Sequence, residues 1–146
     1  MRKINYIVVH CSATREGCTL TSEVLEAEHR RRGFRTTGYH YYIRRDGTVL
    51  GTRSLELPGA HCRGHNKYSI GICYEGGLDA RGNPKDTRTP EQRSGLHLLV
   101  YQLLQQFRNA RVCGHRDLSP DLDGDGTVEP WEWVKQCPCF EVSKEF

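Results

Sequence analysis

Near the start of the chain lies the apolar segment KINYIVV, residues 3–9, which is rich in Ile, Val and Tyr. This composition predicts a buried β-strand. Two further apolar segments have the same character: SIGICY at Ser69–Tyr74, which glycines follow closely, and the shorter ARVC at Ala110–Cys113. The sequence therefore predicts three short buried strands, and long segments with helical signals separate them.

Two segments carry the start signals of α-helices. A cap at Thr21 or Ser22 and a stop at Gly33 predict a first helix that runs to about residue 32. Thr89, followed by Pro and Glu, opens a second helix. The apolar residues of the second helix recur at helical spacing, which predicts a face packed on a core: Leu96, Leu99, Val100, Leu103, Leu104 and Phe107.

The remaining segments add a hairpin, a loop and a short helix. Tyr39–Arg44 and Thr48–Gly51 flank Arg45–Gly47, which is a good hairpin turn signal. Leu78–Arg88 is polar and contains Gly and Pro, so we expect a loop, and Pro130–Lys135 predicts a short final helix. Strands that alternate with helices predict an α/β fold, a single domain with a central mixed β-sheet flanked by helices.

Length and composition agree with one domain over residues 1–146. Hydrophobic residues make up 36% of the chain and charged residues 27%, a balance typical of soluble globular proteins. No apolar run approaches the roughly 20 residues that a membrane span needs, so we expect no membrane insertion. The apolar segment Ile4–Val9 is too short for a signal peptide. We therefore expect cytoplasmic synthesis, and a monomer by default.

Charge is distributed unevenly along the chain. The net charge is +3, yet residues 117–146 carry two basic against eight acidic residues, so the rest of the chain is strongly basic. A basic body favours an acidic polymer, either nucleic acid or anionic cell wall. Nucleic acid is the less favoured partner, because its binding faces interleave basic residues with exposed aromatic ones, and the only dense basic run is Arg30–Arg32.

Histidine and cysteine residues suggest a metal site. The cysteines number seven, and an odd count without a signal peptide argues against a disulfide framework. His10 ends the first predicted strand and His115 directly follows the third. With Cys137 they would supply two imidazoles and one thiolate, leaving a fourth position for water, as in catalytic zinc sites. The spacing of Cys137 and Cys139 leaves a structural site or a disulfide open.

Several motifs follow one another along nearly the whole chain: VVHCSAT at 8–14, GYHYYI at 38–43, GAH at 59–61, Asn66, SIGI at 69–72, GHRD at 114–117 and KQCP at 135–138. This ordered set resembles the N-acetylmuramoyl-L-alanine amidases of the phage-lysozyme and peptidoglycan-recognition-protein superfamily. The resemblance implies a central mixed sheet, one zinc ion and hydrolysis of the amide bond between N-acetylmuramic acid and L-alanine in peptidoglycan stem peptides.

The resemblance also implies roles for individual residues. It implies three zinc ligands, namely His10, His115 and Cys137. Tyr39 and Lys135 would assist the chemistry: Lys135 would stabilise the charge that develops on the amide oxygen, and Tyr39 would hydrogen-bond either the attacking water or that oxygen. Three more residues match positions that the family uses near its substrate groove and are candidates for substrate binding: His40, His61 and Asn66.

Catalysis competes with two other interpretations. Family members that only recognise peptidoglycan typically lack the cysteine ligand, so Cys137 favours an enzyme over a non-catalytic peptidoglycan-binding module. A regulatory protein that binds another macromolecule through its basic face is the second alternative, because a fold can host several functions. The small size favours an endolysin that acts on the cell wall after release.

An acidic insert at residues 121–132 matches a calcium-binding loop. The sequence DLDGDG, followed by Glu132, satisfies the pattern D-x-D-x-D-G-x5-E. The predicted oxygen ligands are Asp121, Asp123, Asp125, Thr127 through its carbonyl, and Glu132. The helix predicted at Pro130 lies where the exiting helix of such a loop begins, although no entering helix is evident. We expect calcium here, with an acidic solvated loop as the alternative.

Overall fold

The structure, a computed structural model that describes residues 2–146, is built around a five-stranded mixed sheet. A second, small sheet pairs two strands of two residues each. In chain order the strands are β1 (Tyr6–Cys11), β2 (Thr14–Arg15), β3 (Tyr41–Ile43), β4 (Val49–Gly51), β5 (Ser69–Tyr74), β6 (Gly77–Leu78) and β7 (Arg111–Gly114).

The main sheet has the strand order β4-β3-β5-β1-β7. β1 pairs in parallel with both β5 and β7, β3 pairs in parallel with β5, and only β4 runs antiparallel to its neighbour. The register places His10 beside Cys73 of β5, and Val8 between Gly71 and Cys113. Because the strands are parallel, the carboxyl ends of β1, β5 and β7 lie at the same edge of the sheet, where ligands of α/β proteins commonly bind.

Two α-helices accompany the sheet. The first, α1 (Ser22–Arg31), begins at Thr21, whose hydroxyl caps it. The second, α2 (Pro90–Gln106), begins at Thr89 with a capping box that Gln92 completes. Within residues 2–146, no helix is long and apolar enough to cross a membrane.

The hydrophobic residues form two clusters. The smaller contains Leu25 of α1 with Tyr42 and Cys73. The larger joins α2 to the sheet and to the C-terminal segment: Ile4, Ile7, Val9, Cys11, Ile43, Ile70, Ile72, Tyr74, Leu96, Leu99, Val100, Leu103, Phe140 and Val142. β5 is buried along its whole length and contributes residues to both clusters. Its carboxyl end, near the site, is therefore held rigidly.

The predicted fold class is confirmed, and the differences concern short elements. β1 begins at Tyr6, three residues later than predicted, and extends through Cys11. Leu78, predicted in a loop, belongs to β6. The helix predicted at Pro130–Lys135 is wrong: only a three-residue 3-10 turn, Pro130–Glu132, forms there. Trp133 adopts extended backbone angles, φ −64° and ψ 124°, which end the turn.

Candidate active site

Three candidate metal ligands meet at the carboxyl edge of the sheet. His10 lies on β1, His115 follows β7, and Cys137 lies in the C-terminal segment. One ligand atom from each lies within 4.8 Å of the others. His10 is buried, whereas the other two are half-buried and face the surface. The structure thus brings together the three side chains that the sequence singled out.

Local packing explains why Cys137 reaches the two histidines. The backbone N–H of Arg116, next to His115, donates a hydrogen bond to the carbonyl of Cys137 at 2.9 Å. Pro138 packs directly on the backbone of Gly114, where a Cβ would lie 2.7 Å from the proline Cδ. A side chain at position 114 would therefore push the C-terminal segment away from the site.

The donor set suits zinc. Imidazole nitrogens and thiolate sulfur are ligands that zinc prefers, and three protein ligands leave a fourth position for water or substrate. Within residues 2–146 all seven cysteines are free, so the disulfide between Cys137 and Cys139 that the sequence left open is not formed. The sulfur of Cys139 lies 4.0 Å from that of Cys11 and 3.4 Å from the carbonyl oxygen of Gly77.

Burial keeps His10 and His61 neutral. It lowers the pKa of His10 well below its usual value, and His61, His115 and Lys135 lower it further. Burial is also the largest cause that lowers the pKa of His61 to about 3. Neutral imidazole is the form that binds a metal ion, so His10 is ready for ligation at neutral pH.

Tyr39 stands beside the candidate ligands. Its ring centroid lies 5.1 Å from that of His10. Burial raises the pKa of its phenol well above the usual value, and the thiols of Cys73, Cys137 and Cys11 raise it further. The phenol therefore stays protonated at neutral and moderately alkaline pH, and its O–H is a hydrogen-bond donor within the site.

An open cleft of about 640 Å³ extends from His115 and Lys135. Lys135 is exposed to solvent. Two more cations, Arg63 and Arg111, line the cleft with a single carboxylate, Asp117, so its lining carries a net positive charge. Apolar and aromatic side chains form other parts of the wall, namely Tyr6, Leu118, Pro120 and Val134. This volume is large enough to accept more than the reacting group of a substrate.

His61 uses both of its ring nitrogens inside the protein. Nδ1 lies 2.8 Å from Nε2 of His10, and Nε2 lies 3.1 Å from the hydroxyl oxygen of Ser69. The side chain is only 9% exposed. Both ring nitrogens of His61 thus have partners inside the protein, and its role in substrate binding stays a prediction. The resemblance located the residue near the groove but not the direction of its side chain.

His40 and Asn66 likewise bind within the protein. His40 is fully buried, with Nδ1 accepting from the backbone N–H of Gly71 and Nε2 lying 2.8 Å from the carbonyl oxygen of Leu57. The amide oxygen of Asn66 accepts from the backbone N–H groups of residues 61–62, each at 2.9 Å. Both side chains hold the loop before β5 in place, and their roles in substrate binding stay predictions.

The acidic insert folds as a loop whose carboxylates bind its own backbone. Asp121 accepts from the N–H groups of Gly124 and Gly126, and Asp125 accepts from that of Thr127. The predicted calcium ligands do not form one group. The carboxylates of the insert fall into two overlapping triads. One contains Asp121, Asp123 and Glu132; the other contains Asp123, Asp125 and Glu129, which is not among the predicted ligands. Calcium binding thus stays an untested prediction.

Sequence analysis missed three residues of the site. Ser69 opens a predicted strand and the SIGI motif, but the sequence assigns it no role in the site, although its side chain is fully buried against His61. A serine that opens a strand of buried residues was an available signal, because a buried hydroxyl needs a partner. Arg63 and Arg111 gave no such signal, since their place in the cleft depends on how distant segments meet.

The comparisons with known proteins identify the family of this chain. The sequence model of the family described as N-acetylmuramoyl-L-alanine amidase matches residues 1–138. The endolysin of Klebsiella phage KP32 is 34% identical over 143 residues, covering 98% of this chain and 85% of that endolysin. The alignment therefore spans most of both chains, and the family match includes the positions of all three candidate metal ligands.

Solved structures have the same fold. The N-acetylmuramoyl-L-alanine amidase LysC from Clostridium intestinale URNW has a TM-score of 0.75 at 26% identity, covering 99% of this chain and 82% of LysC. Bumblebee PGRP-SA also has a TM-score of 0.75, at 21% identity, covering 99% of this chain and 81% of its own, and is similar in fold alone. None of the matches described above supports a calcium ion in the acidic insert.

Proposed function

The chain belongs to the N-acetylmuramoyl-L-alanine amidase family, and on that premise we propose that it is a zinc-dependent hydrolase of peptidoglycan. The bond cleaved would join the lactyl group of N-acetylmuramic acid to L-alanine of the stem peptide. The ion would be held by His10, His115 and Cys137. The proposal rests on one observation above all, the convergence of these three side chains, one of which, His115, lines an open cleft.

Each residue around that convergence has a task in amide hydrolysis. When bound, zinc supplies a Lewis acid and lowers the pKa of a bound water to about 7. Tyr39 would donate its phenol O–H to the amide oxygen as that oxygen gains negative charge. The ammonium group of Lys135, in the same cleft, would stabilise this charge from a second direction. The reaction consumes one water: the carbonyl carbon gains a hydroxyl group, the C–N bond breaks, and the L-alanine nitrogen leaves with the remaining proton.

The charge of the cleft supports a stem peptide as the ligand. Bacterial stem peptides carry free carboxylates, and guanidinium groups bind carboxylates through paired hydrogen bonds. Arg63 and Arg111 line the same cleft as His115. We expect them to orient the peptide so that its first amide bond lies beside Tyr39.

We further propose that residues 1–146 act as one catalytic domain in cell-wall lysis, as the name endolysin states for the phage relative. The acidic insert at 121–132 would hold the segment that carries Lys135. Two contacts from outside the insert hold the same segment: the guanidinium of Arg116 lies 3.9 Å from the ring centroid of Trp133, and the N–H of Val134 donates to the hydroxyl of Ser119.

Mass spectrometry of digested peptidoglycan tests the reaction and the metal together. Purified peptidoglycan is incubated with the protein as prepared, with the protein after chelation, and with chelated protein supplied again with zinc or with magnesium. We expect free stem peptides that begin with L-alanine in the first sample, none after chelation, and recovery with zinc alone.

Other results would contradict parts of the proposal. Stem peptides that persist after removal of all bound metal would contradict zinc dependence. Intact glycopeptides in every sample, with the protein co-sedimenting with peptidoglycan, would replace hydrolysis with a binding role. Cleavage between sugars would place the reaction at a different bond.

A further inference from the structure

A chain of three buried side chains leads away from the candidate metal site. His10 meets His61 at 2.8 Å, and His61 meets the hydroxyl of Ser69 at 3.1 Å. All three side chains are at most 9% exposed. The contact on His10 is made by Nε2, so Nδ1 is the ring nitrogen left for a metal ion.

The protein is shaped to hold the His61 ring in this position. A Cβ built on Gly71 of β5 would lie 2.6 Å from two ring atoms of His61, and one built on Gly59 would lie 2.5 Å from the ring. Such distances are far shorter than carbon–carbon contact in proteins. The backbone N–H of His61 donates a hydrogen bond to the side-chain oxygen of Asn66, which fixes the backbone at this position. The ring therefore lies in a socket that two glycines leave open.

Proton positions in this chain are constrained by its direction. If His10 donates from Nε2, then His61 accepts at Nδ1, carries its proton on Nε2 and donates to Ser69. In the opposite direction His10 would carry its proton on Nδ1, and no lone pair would remain for a metal ion. Only the first direction is compatible with ligation by His10.

We propose that His61 is a positioning residue that holds His10 in the Nε2-protonated tautomer and orients its Nδ1 lone pair for zinc, with Ser69 as the final acceptor. Metal-binding histidines commonly donate their second N–H to a fixed partner, and loss of that partner weakens metal affinity or activity about 10- to 100-fold. Here the partner is a second histidine. The inference rests on the proposed zinc site and adds two residues, His61 and Ser69, that act through His10.

Nitrogen NMR of the zinc-loaded protein tests the tautomers without any substitution of the chain studied. Long-range proton–nitrogen spectra of ¹⁵N-histidine-labelled protein distinguish protonated, free and metal-bound ring nitrogens. The signals are assigned with variants that each lack one histidine. We expect His10 to be metal-bound at Nδ1 and protonated at Nε2, and His61 to be protonated at Nε2. Metal bound at Nε2 of His10, or a proton on Nδ1 of His61, would overturn the inference.

Zinc affinity, measured by competition with a chromophoric chelator, tests the energetic part. We expect His61→Ala to bind zinc about 10- to 100-fold more weakly than the unaltered protein. His61→Asn should recover most of this loss, because its amide oxygen stands near the position of Nδ1 and can accept from His10. Ser69→Ala should give a smaller loss. His97→Asn, on the exposed side of α2, is the matched control and should bind like the unaltered protein.

The outcomes separate this inference from the proposed function. Equal zinc affinity for His61→Ala and His97→Asn, with equal thermal unfolding of the metal-free proteins, would overturn the positioning role alone. If His61→Ala does not fold, His61→Asn, Ser69→Ala and the NMR tautomers decide the question. If the unaltered protein cleaves peptidoglycan without binding zinc, the proposed metal fails first and the inference fails with it.

Discussion

The backbone N–H of Cys11 donates a hydrogen bond to the sulfur of Cys137 across 3.1 Å. Cys11 directly follows His10 on β1, so one strand end supplies both a candidate metal ligand and a hydrogen bond to another. This hydrogen bond fixes the position of the acceptor sulfur beside the end of β1. The sulfur of Cys137 is therefore prepared for metal binding by the sheet itself.

Cys137→Ser should abolish both zinc binding and hydrolysis, because a hydroxyl is a poor substitute for a thiolate ligand. Zinc content by atomic emission and release of stem peptides are the two measurements. Cys139→Ser is the matched control: Cys139 lies two residues further on and is outside the group of candidate ligands, so zinc and activity should both persist. Hydrolysis by zinc-free Cys137→Ser would refute the assigned role of this cysteine.

Tyr39→Phe should lower the turnover number about 10²- to 10³-fold, the usual effect of removing one hydrogen bond to a developing oxyanion. Zinc content should stay unchanged, since the phenol is not a candidate ligand. Burial raises the pKa of Tyr39, so the unaltered enzyme should lose no activity through this group between pH 7 and 9. A variant with full turnover would exclude the hydroxyl from the reaction.

Lys135→Ala should reduce hydrolysis while zinc remains bound, because the ammonium lies in the cleft and is not a ligand. Lys135→Arg should retain part of the activity, since it keeps the charge but changes its position. Steady-state kinetics on a soluble muramyl peptide would separate turnover from binding. An effect confined to the Michaelis constant would assign Lys135 to substrate binding instead.

Gly71→Ala should destabilise the protein by about 1–3 kcal/mol, the usual cost of overpacking a core, because the new methyl group would collide with the His61 ring. Gly51→Ala on β4 is the matched control, since a Cβ there meets nothing within 4 Å. Denaturant unfolding of the metal-free proteins measures both. Equal stability of the two variants would mean that the socket around His61 adapts easily.

Glu145 should make folding stability depend on pH in the acid range. Hydrogen bonds from Arg88, with a smaller contribution from His97, lower its pKa to about 2 despite partial burial, against about 4.3 in an unfolded chain. A depressed pKa stabilises the fold fully above the unfolded value, and this contribution is lost as pH falls from about 4.3 to about 2. Glu145→Gln should therefore be less stable than the unaltered protein at pH 7, by about 1.5–3 kcal/mol for lost hydrogen bonds to a charged group. The difference should shrink toward pH 2 in thermal unfolding, and a constant difference would contradict this account.

The elements that could be predicted from sequence are those with long, regular patterns. Ser69–Tyr74 and the two capped helices carry apolar periodicity over several residues, and the structure places them close to the predicted bounds. The pair β2 and β6 could not be predicted, because two residues per strand leave no pattern. The segment after Pro130 has a helix start signal, but Trp133 adopts extended backbone angles, so the turn ends at Glu132.

The site divides in the same way. The motifs located His10, His115 and Cys137, and the structure brings them together because strand ends fix their positions. The direction of an individual side chain depends on tertiary contacts, so the sequence did not indicate that His40 and His61 bind inward. A residue that acts only by positioning its neighbour produces no recognisable pattern in a single sequence.

The three candidate ligands lie on segments that are far apart in the chain, with most of the protein between His10 and Cys137. An ion bound to both would close this length into one ring, much as a cross-link does, and such closure removes freedom from the unfolded chain. Withdrawal of the ion would then release the C-terminal segment for local opening and attack by proteases. The same ion would thus govern how long the molecule survives after release, as well as how fast it works.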